Sequence, residues 1–148
     1  WLPTAEQSTV FTQVANPVLA AGNSAAGNRL PYAPRKTATI GVGYLHASGL
    51  DVNVEAVHVG AQFSDFGNVA DAASDARLTA TEQQSGQFGR ISAFTVFNAT
   101  ANYNLPQYKL TLFLTVKNLA DKVYIVDRTR GILPGAPRLI QAGLRWDF

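Results

Sequence analysis

His46 and His58 are the only histidines, so an imidazole metal site would need both, completed by carboxylates such as Asp51 or Glu55. His46 stands beside Ala47-Ser48-Gly49 and reads as an exposed or interfacial side chain, and His58 lies inside a β-patterned stretch. Asp65, Asp71 and Asp75 lack the spacing of a calcium loop and read as a solvated acidic segment. Serine, histidine and aspartate are all present, but no Gly-x-Ser-x-Gly elbow frames a serine. With no cysteine, disulfides and thiolate metal sites are excluded. The chain therefore predicts no catalytic residue, no metal ligand and no cofactor, and is not read as an enzyme.

The arginines are a separate matter. Arg29, Arg35, Arg77, Arg90, Arg128, Arg130 and Arg138 all fall in or beside the segments that look like long connections. Guanidinium forks bind carboxylate and phosphate in a bidentate manner, so these residues suit an anionic ligand or lipid phosphates, although solubility and salt bridging explain them equally well. The basic residues are scattered and the net charge is only +2, so no phosphate-tracking stripe exists and nucleic acid is not a predicted partner.

What positions these side chains is a set of segments with period-2 alternation, which sends successive side chains to opposite faces of a strand. The clearest is the last: Ile140, Ala142, Leu144, Trp146 and Phe148 share one face, and Gln141, Gly143, Arg145 and Asp147 share the other. Between Tyr108 and Asn118, Leu110, Leu112, Leu114 and Val116 oppose Lys109, Thr111, Thr115 and Lys117, and only Phe113 breaks the polar row. Phe94 to Asn104 sets Thr95, Phe97, Ala99, Ala101 and Tyr103 against Asn98, Thr100, Asn102 and Asn104. Thr37 to His46 offers Ile40, Val42 and Tyr44 against Gly41 and Gly43. Leu50 to Phe63 begins with Leu50, Val52 and Val54 on one face and then changes phase to Val57, Val59, Ala61 and Phe63, which predicts a bulge near Ala56. The first residues read as the end of one further strand.

Connections alternate in length. Ala47-Ser48-Gly49 and Leu105-Pro106-Gln107 are tight, whereas Ser8 to Pro34, Ser64 to Ser92 and Asp127 to Pro137 are long. Strands of about 9 to 11 residues with short turns at one end and long loops at the other are the pattern of transmembrane barrels. Loop stretches such as 22–28 and Asp71-Ala72-Ala73-Ser74-Asp75 are of a composition that stays solvated and mobile. A soluble antiparallel sandwich shows the same alternation. Tyr44, Tyr103, Tyr108, Trp146 and Phe148, all near the short-turn or terminal ends of strands, tilt the reading toward an interfacial aromatic girdle. The predicted fold is all-β, an antiparallel up-and-down transmembrane β-barrel. The segments amount to about five to six strands, fewer than the roughly eight of the smallest usual barrels, so the chain reads as a fragment. Its opening Trp1-Leu2-Pro3 is neither a Met start nor a signal sequence, which suggests that something precedes it.

Val116-Lys117-Asn118-Leu119-Ala120-Asp121-Lys122-Val123-Tyr124, followed by Gly131-Ile132-Leu133-Pro134-Gly135-Ala136-Pro137-Arg138, resembles the C-terminal strands of TonB-dependent receptors. Asn118 and Asp121 there suit a local turn, and Pro134-Gly135 with Pro137 fixes entry to a final strand. Residues 27–37, Gly-Asn-Arg-Leu-Pro-Tyr-Ala-Pro-Arg-Lys-Thr, look like the family's entry into an earlier strand. Gln141, Gly143, Trp146 and Phe148 fit the barrel-assembly signal of outer-membrane proteins.

The resemblance implies that residues 1–148 are the C-terminal part of a barrel of about 22 strands, without the plug domain and the TonB-contacting segment. It implies a transporter fragment of the outer membrane of a Gram-negative bacterium, one that takes up an iron-siderophore or similar metal chelate. The implied partners are that chelate, TonB through the missing N-terminal region, the barrel-assembly machinery, and outer-membrane lipid with lipopolysaccharide. Arg128 and Arg130 become the ligand candidates, because their loop would border the barrel mouth. A passive channel, an adhesin or a soluble all-β binding module are the alternatives; an upstream plug domain or detergent-free solubility would discriminate them.

Overall fold

The computed structural model describes residue 6 and residues 26–148. The strand expected at the beginning of the chain, and most of the Ser8 to Pro34 connection, lie outside the described residues. The chain divides into two units, one formed by the strands and one by residues of the long connections.

The first unit comprises residues 38–58, 95–123 and 136–148. It is built on the antiparallel strands β1 (Thr37–Leu45), β2 (Leu50–Val59), β5 (Phe94–Leu105), β6 (Leu110–Lys117) and β9 (Leu139–Trp146), in the sheet order β1-β2-β5-β6-β9. These are the five segments marked by alternation. Registers align the apolar rows: Val116 pairs with Ala99 and Ile140, Leu114 with Ala101 and Ala142, and Leu112 with Tyr103 and Leu144.

Tight turns set two of these registers. At the β1-β2 turn, Gly49 adopts φ +90°, a left-handed conformation that favours glycine, and a Cβ there would collide with the Asn104 carbonyl. Pro106–Tyr108 forms a single 3-10 turn between β5 and β6, closed by Lys109 in the left-handed region.

The predicted bulge near Ala56 does not form. Asn104 N donates to Gly49 O, Asn98 bonds Glu55 and Thr95 bonds His58, each step along β2 matching one step back along β5. On its other side, the His46–Leu50 and Lys36–Gly60 bonds likewise share one register. The apolar set changes face because the row of Asp51, Asn53 and Glu55 continues into Val57 and Val59, with no residue inserted.

The second unit comprises the described residues of 1–37, with 59–94 and 124–135. It holds the pairs β3 (Gln62–Phe63) with β4 (Arg90–Ile91), and β7 (Ile125–Asp127) with β8 (Leu133–Pro134). The five-residue helix α1 (Ala80–Gln84) opens with a capping box, Thr79 accepting from Glu82 N while the Glu82 carboxylate accepts from Thr79 N. Residues 64–92 are folded instead of a purely solvated stretch: Val69 and Leu78 are buried with Ala72 and Phe88 against them, and Ile91 is buried too.

Candidate functional site

In the strand unit no described apolar side chain is buried. Ile40 (68% exposed), Leu144 (65%) and Trp146 (64%) stand open on the apolar face. A soluble sandwich would cover that face with a second sheet; a lipid-facing row needs no such cover. Tyr44, Tyr108, Trp146 and Phe148 are exposed at the short-turn end, with the Trp146 and Phe148 rings edge to face at 6.4 Å.

The opposite face is polar. Asn98 Nδ2 donates to Glu55 Oε1 (3.0 Å), beside an open depression of about 190 Å³ lined by Asn53, Glu55, Asn98 and Thr100. Asn98 Oδ1 accepts from Asn118 N (3.1 Å), which links this face to the turn after β6. Lys117 and Arg145 share the face, and Phe113, the exception in the polar row, lies opposite Gly143.

The Asn118–Asp121 segment is a turn held from within. Both residues adopt positive φ (49° and 50°), a region that asparagine and aspartate tolerate better than most. Asn118 Oδ1 accepts from Lys122 N (2.8 Å), and its Nδ2 donates to Lys122 O (3.0 Å) and Ala136 O (2.9 Å). Asp121 Oδ1 accepts from Arg138 N at 2.9 Å. These are the turn roles the residue types predict.

In the connection unit, Asp127 Oδ1 accepts from Arg128 N (2.8 Å), Thr129 N (3.0 Å) and the Thr129 hydroxyl (2.7 Å). Bonds from Thr129 and Tyr32 hold the Asp127 carboxyl down at about 2. Burial, and then the nearby Asp127, push the Tyr32 phenol up. The Tyr32 hydroxyl itself accepts from Arg128 N, at 3.2 Å.

Structure separates the two arginines that the sequence grouped. Arg128 Nη1 donates to Gly86 O (2.9 Å) and Phe88 O (3.2 Å), and its Nε is enclosed without a partner. It works as a clamp between two connections. Arg130 is exposed and makes no side-chain bond among the described residues. Elsewhere Arg77 pairs with Asp75 (2.6 Å), and Arg29 donates to Ala33 O and Ala61 O while lying over the Phe63 ring. Burial, and then the charges of Arg35 and Arg90, lower the Arg29 pKa. Arg35 and Arg90 thus lie within electrostatic reach of Arg29. No group of three His, Asp or Glu side chains converges among the described residues; His46 bonds Ser48 and His58 bonds Thr95.

A coreless antiparallel sheet with one apolar and one polar face, tight turns at one end and long connections at the other, defines a stretch of transmembrane β-barrel wall. Residues 4–119 match the family described as TonB dependent receptor-like, beta-barrel, and the chain belongs to that family, one of receptors and not of enzymes. Among solved structures it is similar to the ferric citrate transporter FecA in its unliganded form, with 29% identity, a TM-score of 0.65, and coverage of 81% of this chain and 18% of that one. The siderophore receptor PiuA from Acinetobacter baumannii (20% identity, TM-score 0.58, 84% and 15% coverage) shares the fold. So does BauA, the ferric preacinetobactin receptor from the same organism (17%, 0.58, 81% and 16%). The chain spans less than a fifth of the length of these structures. Barrels of this family are outer-membrane proteins.

Proposed function

We propose that this chain is the C-terminal part of the barrel of a TonB-dependent transporter that takes up an iron-siderophore or similar metal chelate across the outer membrane of a Gram-negative bacterium. The plug domain and the TonB-contacting segment belong to parts of the protein outside these residues. The observation that carries this reading is the family match over residues 4–119. Its likeness to a ferric citrate transporter favours a chelate with carboxylate character, which exposed guanidinium groups suit. In this reading Arg130 contacts the ligand, and Arg128 positions the loop that carries it. Gln141, Gly143, Trp146 and Phe148 serve the barrel-assembly machinery, the aromatic residues lie at the lipid interface, and the arginines of the long connections meet lipopolysaccharide phosphates or the ligand.

The test is uptake of labelled ferric citrate and ferric siderophores by iron-starved cells carrying the complete protein, with and without TonB. Saturable uptake that stops when TonB is deleted is the expected result. Non-saturable flux that survives the deletion would show a passive channel, and no uptake with surface attachment would show an adhesin.

A further inference from the structure

Alternation specifies which face a strand buries, but not its register. A one-residue slip would turn every apolar side chain to the polar face, whereas a two-residue slip returns each to its own face. Leu110, Leu112, Leu114 and Val116 on β6 would meet Ile140, Ala142, Leu144 and Trp146 on β9 nearly as well after such a slip. Between β5 and β6 the tight turn at Pro106–Tyr108 forbids it. Nothing comparable joins β6 to β9, since their connection runs from Asn118 to Arg138. The bonds at its base, Asn118 to Ala136 O and Asp121 to Arg138 N, use main-chain groups that residues two positions away also carry.

The polar face is not periodic in size. Across β6 it reads Thr111, Phe113, Thr115, Lys117, and across β9 Arg145, Gly143, Gln141, Leu139. Phe113 is the one aromatic ring and pairs with Gly143, the one residue without a side chain. A Cβ on Gly143 would overlap the Phe113 ring. After a two-residue slip the ring would meet Gln141 or Arg145 instead. The same arrangement occurs just beyond the β7-β8 pair, where the Tyr124 ring occupies the space a Gly135 Cβ would fill and Gly135 N donates to Tyr124 O. Aromatic residues covering cross-strand glycines pin register in sheets generally.

We propose that Phe113 and Gly143 are a key and socket that select one register of β9 on β6, so that Gly143 acts in the folded wall through packing as well as in the terminal segment. This requires only that the sheet is part of a barrel. It is read out by strand pairing and not by uptake, so its failure and the failure of the transport reading are separate outcomes.

The test uses the complete protein in outer-membrane vesicles, with cysteine pairs as register reporters. Thr111→Cys with Arg145→Cys reports the native pairing. Thr111→Cys with Asp147→Cys reports a slip in one sense, and Thr115→Cys with Leu139→Cys a slip in the other. With Phe113→Ala, a slipped cross-link should rise about tenfold over the unsubstituted background, as loss of one aromatic contact predicts. Phe113→Tyr, which keeps an aromatic ring over Gly143, should give the native pair alone. Native-only cross-linking in Phe113→Ala would overturn the proposal. If Phe113→Ala fails to assemble, Phe113→Leu, which keeps much of the volume but no ring, is read instead: slipped cross-linking supports the proposal and native-only cross-linking overturns it.

Discussion

The Asn118 side-chain amide donates to the Ala136 carbonyl at 2.9 Å, joining the start of the β6-β9 connection to its end. The same nitrogen reaches Lys122 O and the side-chain oxygen receives Lys122 N, so one buried carboxamide closes the turn and fastens the returning chain. Asn118→Ala removes all three bonds, leaves two carbonyls without their donor, and places alanine at φ +49°. The expected loss is on the order of 2 to 4 kcal/mol, from unsatisfied buried groups and left-handed strain. Thermal unfolding of the complete protein, followed by its gel mobility shift on heating, would measure it. Asn118→Asp, which keeps the acceptor and loses both donors, should fall between wild type and alanine.

Tyr124 is held between the Phe94 ring (centroids 4.2 Å apart, planes 29° apart) and the bare backbone of Gly135. Gly135→Ala drives a methyl group into that ring and should cost about 1 to 3 kcal/mol by overpacking. Tyr124→Ala made in addition should recover part of that loss, because the clash has gone. Equal losses in the single and double variants, measured by the same unfolding assay, would show that the ring is not what excludes a side chain.

Two aspartates give opposite pH responses. Bonds from Thr129 and Tyr32 hold Asp127 at about 2, below the roughly 3.9 of an unfolded aspartate. Its stabilising contribution is therefore complete above about 3.9 and is lost as pH falls through about 2. Burial raises the Asp65 carboxyl, which accepts from Val69 N. Its contribution is complete below about 3.9 and is lost as pH rises through the elevated folded value. Hydrogen exchange, corrected for intrinsic rates, should show the Arg128 and Thr129 amides losing protection between about pH 4 and pH 2, while the Val69 amide holds or gains. Asp127→Asn should abolish the first response, and Asp65→Asn should leave the neutral-pH protein as stable or more so.

The strand unit was legible because its signal is a repeating one. Alternation marked all five strands to within a few residues, and Gly49 and Pro106 marked the tight turns. The apparent change of phase in β2 is one of hydrophobicity and not of geometry: Val57 and Val59 continue the row of Glu55 without any extra residue. The connection unit was much less legible. Its order comes from contacts far apart in sequence, such as Asn28 to Phe66 O and Tyr32 to Thr129, which no local pattern announces. Helix α1 was the exception, since Thr79 and Glu82 spell a capping box that could have been read. Arg128 and Arg130 look alike in sequence; only the Gly86 and Phe88 carbonyls tell them apart.

That difference yields the last prediction. Arg130 is exposed and makes no side-chain bond among the described residues, so Arg130→Ala should change stability by no more than about 0.5 kcal/mol. If Arg130 contacts an anionic chelate, the same variant should weaken binding of that chelate about tenfold, as loss of one charge-assisted hydrogen bond predicts. Arg128→Ala should instead expose the Gly86–Phe88 segment to protease, because both carbonyls lose their donor. Arg128→Lys should not restore protection, since a single ammonium on a flexible stem lacks the planar fork that fits this site. Binding titrations and limited proteolysis on the same four proteins, wild type included, distinguish the roles. Unchanged chelate affinity in Arg130→Ala would remove that residue from the ligand site while leaving the Arg128 clamp standing.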